Sequence, residues 1–198
     1  MEKEKNINLA VEKLLSSLSG ERRFHNSIDG NLIISSDKWK ERKENELIFG
    51  KPIGLWYDYN GDWLKWCLSE EIGWIRNYLY EVEIDKNKIL CISNVEEFER
   101  FEKEYFYHPE NNFSPSFLLH HSSINWQAVR EKYSGIEIIP YLRVKRLTSM
   151  WFYGWDCASG CVWDLSAFKV RLFAYYDSKK DCFVKIKQKA KKGKLQWS

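Results

Sequence analysis

Lys51-Pro52-Ile53-Gly54-Leu55-Trp56-Tyr57-Asp58-Tyr59-Asn60-Gly61-Asp62-Trp63-Leu64-Lys65-Trp66-Cys67 decides how this chain reads. A stiff proline and a permissive glycine precede a strand-like aromatic run; Asn60-Gly61 then supplies the residue types that turn a chain, and Asp62 can cap a helix. The pattern predicts a strand over 51–59 and a helix from Asp62 to about Ile75, with Trp63, Trp66, Cys67 and Glu70 on one face. That arrangement suits a binding lip better than plain core. A second aromatic block, Trp151-Phe152-Tyr153-Gly154-Trp155-Asp156-Cys157-Ala158-Ser159-Gly160-Cys161-Val162-Trp163, is its expected partner in space.

Working outward, apolar residues recur at helical spacing over 6–18 and stop before Gly20, so an N-terminal packing helix is expected. A short strand is predicted over 31–34, and Trp39 stands alone in a charged stretch. A strand is expected over 78–85, where apolar and polar residues alternate, and a second over 88–92 after a turn at 85–88. Ser93 followed by Glu96 reads as a capping box, opening a helix from Asn94 to about Tyr105. Residues 106–123 carry His108, His120 and His121 without lasting period and read as a long loop. A short helix over 125–133 follows, then a strand over 136–142 whose Pro140 places it at an edge or marks its end. Strands are then predicted over 150–156, 161–165, 168–176 and 182–187. The sum is one α+β domain over 1–198, with helices early and strands late.

Composition narrows the function. There are 10 Trp, 11 Tyr and 11 Phe in 198 residues, and an indole N–H needs a partner when buried, so some rings are expected to line a groove. The net charge of +3 is concentrated in a lysine-rich C-terminal tail over 185–198, leaving a slightly acidic body. Five cysteines without dense spacing point to a reduced, cytoplasmic setting, and no apolar run is long enough for a membrane span. Zinc is not expected, because neither paired Cys-x-x-Cys nor His-x-x-x-His spacing occurs. Cys157 as a thiol nucleophile is a weaker reading, and phosphate-loop and dinucleotide glycine fingerprints are absent. Stacked aromatics and a lysine tail keep single-stranded nucleic acid open.

Lys51-Pro52-x-Gly-Leu-Trp-Tyr, followed by Tyr-x-Val-Glu-Ile-Asp at 80–85 and Tyr-x-Gly-Ile-Glu-Ile at 133–138, resembles the layout of small ADP-ribosyltransferase-like domains. The resemblance implies a bent, mainly antiparallel, split sheet with a cleft for NAD as substrate. It implies that Trp56 and Tyr57 wall the nicotinamide, with Lys51, Trp151 and Ser159 also holding the dinucleotide. Glu137 is then the first candidate for the acid that steadies the oxocarbenium-like centre and Asp156 the second, with a macromolecule accepting the ADP-ribose. Read from the residues alone, Glu137 is equally an ordinary strand carboxylate. Asp156 is either a desolvated acid among rings or the cap of a turn. The rival reading is a non-enzymatic, Trp-rich module that binds a protein or nucleic acid, or a protein that sequesters a nucleotide without turnover.

Overall fold

In the computed structural model, which describes residues 2–35, 50–106 and 124–187, helix α1 (Glu2–Ser16) leads into strand β1 (Arg23–Ser27). Strand β2 (Leu55–Tyr59) and helix α2 (Asp62–Ser69) come next, followed by β3 (Tyr78–Ile84), β4 (Ile89–Ile92) and helix α3 (Val95–Tyr105). Helix α4 (Trp126–Lys132), β5 (Gly135–Ile138), the single-turn helix α5 (Arg143–Arg146), β6 (Ser159–Val162), β7 (Phe168–Asp177) and β8 (Cys182–Lys185) complete it. The eight strands lie in the order β4-β5-β6-β2-β1-β3-β7-β8, antiparallel except for the parallel β4–β5 pair. The expected α+β domain with an N-terminal helix and a mainly antiparallel sheet is present.

Register fixes which side chains share a face. Ile136 pairs with Cys161 and Cys161 with Trp56, while Asp58 pairs with both Ser159 and Phe24, so these six project from one side of the sheet. Glu137, Gly160 and Tyr57 are likewise in register and project from the other. On the first side, α3, α4 and the 3-10 turn Met150–Phe152 bury a cluster around Phe98, Trp126, Trp151 and Trp155. Farther along that side, α1 and α2 cover Phe24, Leu79 and Phe173 with Val11, Leu14 and Leu64. The second side is filled by Leu55, Tyr57, Val82 and Val162 against Ala167 and Phe168.

Several boundaries differ from the sequence expectation. Residues 31–34 form no strand, and 150–156 begin as the 3-10 turn rather than as a strand, because Trp151 and Phe152 both turn into the α3–α4 core. The predicted strand over 161–165 starts two residues earlier, at Ser159, and ends at Val162. The helix from Asp62 stops at Ser69, and a separate 3-10 turn, Ile72–Trp74, carries the chain on. Trp39, the three histidines of the predicted loop and residues 188–198 of the lysine-rich tail lie outside the described residues; Lys185 itself ends β8 and donates to the Ser17 carbonyl at 3.0 Å.

Candidate functional site

The site is built where β1 and β2 part. Their ladder has register pairs at Arg23–Tyr59 and Phe24–Asp58, and one residue farther on His25 Nδ1 lies 2.8 Å from the Trp56 carbonyl. A carbonyl can only accept, so Nδ1 carries the proton and Nε2 keeps its lone pair. Burial lowers the imidazole pKa, which favours this neutral tautomer.

The segment before β2 crosses β6 closely. A side chain at Gly54 would strike the Val162 carbonyl and the Cys161 sulfur, so only glycine permits the approach. Trp56 Nε1 donates to the Pro52 carbonyl at 3.2 Å, and its ring meets Trp155 edge to face with centroids 4.8 Å apart. The Lys51 ammonium sits 5.1 Å from the Trp56 ring centre. At the other end of β2, Asn60 and Gly61 both take positive φ, the turn expected from this dipeptide, and swing α2 back over the strand. Gly61 takes the N-cap position of α2 without a side-chain cap, and Asp62 pairs with Lys65 at 2.7 Å. Trp63 and Trp66 of α2 stack with centroids 5.0 Å apart, and Trp74 joins them.

Between these elements lies a cavity of about 290 Å³. Trp56 and Trp155, Trp63 and Trp74, the cations Lys51 and Arg76, and the polar groups His25, Asn26, Asp58, Asp156 and Ser159 all contribute to its lining. Asp156 Oδ1 accepts from Arg146 Nη2 at 3.1 Å. Burial raises the Asp156 pKa, and the charges of Lys51 and Arg146 oppose that rise. Lys51 in turn is held low by burial, with Asp156 acting against the shift. Asp58 is 3 % exposed, and burial lifts its pKa to about 8 against the opposing pull of the Gly61 and Asp62 amides.

The resemblance implied a dinucleotide site of Lys51, Trp56, Tyr57, Trp151 and Ser159 with the acids Glu137 and Asp156. Lys51, Trp56, Ser159 and Asp156 come together at the cavity. Tyr57 also contributes, but its ring packs over Gly160 on the opposite side of the sheet. Trp151 is core: it is 1 % exposed, stacks on Phe98 and donates to Glu102 at 2.8 Å. Glu137 does not line the cavity. Its strand position directs it to the opposite side, where Arg23 donates through Nε to one carboxylate oxygen and through Nη2 to the other at 2.7 Å. Cys157 is buried beside Asp58 and Asp156, and burial raises its thiol pKa, the reverse of what a nucleophile needs. Among the described residues no three His, Cys, Asp or Glu side chains gather as metal ligands.

The sequence reading missed His25, Trp74 and Arg76. Arg23-Phe24-His25-Asn26-Ser27 lacks the apolar alternation of a strand, and Trp74 and Arg76 follow a helix that ends sooner than its pattern suggests. Compared with known family models, curated proteins and solved structures, the chain matches none.

Proposed function

We propose that the cleft binds NAD and that the protein transfers ADP-ribose in the manner of the ADP-ribosyltransferase-like domains its motifs resemble. The observation that carries this reading is Asp156, a carboxylate in the wall of a ring-lined cavity that also holds two cations. Indole walls suit a pyridinium ring, Lys51 and Arg76 suit a pyrophosphate, and the free Nε2 of His25 can accept a ribose hydroxyl. In the reaction the bond between ribose C1′ and the nicotinamide nitrogen breaks, and its electron pair leaves with neutral nicotinamide. Positive charge develops across C1′ and the ring oxygen, and the Asp156 carboxylate stabilises it. An acceptor hydroxyl or amine then bonds to C1′ and releases its proton. Glu137, held by Arg23 across the sheet, takes no part.

The test is nicotinamide release from NAD, followed chromatographically. Wild type is expected to release it and D156N to lose at least 100-fold, roughly the worth of one transition-state charge contact. An equal rate in D156N, at unchanged stability, refutes the reading. Binding without turnover is the second reading, favoured by the Arg146 guanidinium already seated on Asp156. It expects a saturable calorimetric titration with NAD and no nicotinamide product.

A further inference from the structure

The tryptophans Trp63, Trp66 and Trp74 pack α2 against the 3-10 turn Ile72–Trp74 at the edge of the fold rather than in its core. Their ring centres form a near-equilateral triangle with sides of 5.0, 5.6 and 5.9 Å; the planes of Trp66 and Trp74 tilt from that of Trp63 by 15° and 23°, and from each other by 38°. None of the three belongs to a buried cluster, and Trp74 remains 46 % exposed. An indole left half in water keeps apolar area exposed that a core position would have removed. Two of the three, Trp63 and Trp74, line the cavity, and Arg76 lines it two residues after Trp74.

We propose that this triad is a stacking platform for a nucleobase, with the phosphate attached to that base lying toward Arg76. The three rings overlap in offset stacks, and half-exposed Trp74 leaves open indole surface that a flat heterocycle covers better than an aliphatic or branched side chain does. Stacking on tryptophan tolerates any base because every base has a π face, so the platform selects for a planar ring rather than for one hydrogen-bond pattern. The cations point the same way. Lys51 and Arg76 set two cations in the lining beside the acids Asp58 and Asp156, and Arg76, which donates to the Gly73 carbonyl at 3.1 Å, is exposed and can also meet a phosphate.

This inference does not require ribosyl transfer. A base could arrive as part of a free nucleotide or within a single strand, and the two sources separate on titration. The probes are adenosine 5′-monophosphate, ribose 5-phosphate, and a six-residue deoxyadenosine oligonucleotide, each titrated calorimetrically into the full chain at two salt concentrations. Adenosine 5′-monophosphate is expected to bind at least tenfold tighter than ribose 5-phosphate. W74A is expected to remove about tenfold or more of that affinity, and W74F to retain most of it. Because Trp74 is half exposed, W74A should fold, and W63A tests the second ring. Should the oligonucleotide bind tighter than the mononucleotide, with a steep salt dependence and the same loss in W74A, the base comes from a strand. If both adenine probes bind no better than ribose 5-phosphate, or if W74A and W63A bind as wild type does, the platform is refuted. Base stacking without nicotinamide release would refute the transferase reading alone; nicotinamide release that depends on Asp156 but not on Trp74 or Trp63 would refute the platform alone.

Discussion

Replacing Asp58 by asparagine should make the protein more stable relative to wild type as pH rises, by an amount that grows across the neutral range. Asp58 is 3 % exposed, and burial moves its pKa from 3.8 to about 8. The Gly61 and Asp62 amides at the start of α2 and the Lys65 charge act against that shift, while the Asp62 charge adds to it. Cys67 and Cys157 lie close enough for Asp58 to raise their own pKa values. The sign follows from proton count. Between the unfolded value near 4 and the folded value near 8, the native protein keeps a proton the unfolded chain has lost, so stability falls as pH rises. Each pH unit costs ~1.4 kcal/mol in that window, so wild type should lose about 3 kcal/mol from this group between about pH 5 and pH 7. The amide introduced by D58N carries no such proton. Urea unfolding of both proteins at half-unit steps from about pH 5 to about pH 8 should show D58N gaining on wild type steadily, whatever its offset at the acid end. Groups common to both cancel in the difference. A difference that stays constant with pH would mean that Asp58 is ionised in the folded protein, and the reasoning would be wrong.

Other outcomes follow from the placement of the remaining groups. E137Q leaves the buried Arg23 guanidinium without its counter-charge and should cost about 3–5 kcal/mol in urea unfolding while nicotinamide release from the folded fraction persists. Loss of release in a fully stable E137Q would reverse the assignment of roles. W151A empties a core position and removes a 2.8 Å bond to Glu102, so a loss of about 3–5 kcal/mol is expected with NAD affinity of the folded protein unchanged. For the transferase reading, kcat/KM should rise with pH through an apparent pKa above the ordinary carboxylate range, since burial raises Asp156. R146M, by removing a cation that favours the ionised form, should move that inflection higher.

The elements with a strictly local cause were legible in the sequence. The Asn60-Gly61 turn appears as expected because two consecutive positive φ values favour those residue types. Helix α3 begins as its cap predicts, one residue along: Asn94 accepts from the Glu97 amide, and Glu97 reaches back to the Ser93 amide at 2.7 Å. Alternation located β3 for the same reason, since the strand carries its pattern in its own residues.

What the sequence by itself determined is therefore an α+β chain, rich in rings, with a turn-and-helix lip at residues 51–67 and an acid inside its second aromatic block. Tertiary structure decided which acid and which rings face the cavity. Glu137 and Asp156 look alike as carboxylates near aromatics, but strand parity turns one toward Arg23, 114 residues away, while the other sits in the cavity wall. Trp151 and Trp155 lie four residues apart and are both buried in the α3–α4 core, yet the second also lines the cavity and the first does not, because a 3-10 turn replaces the expected strand. Such choices depend on partners far along the chain, and a local pattern carries no record of them.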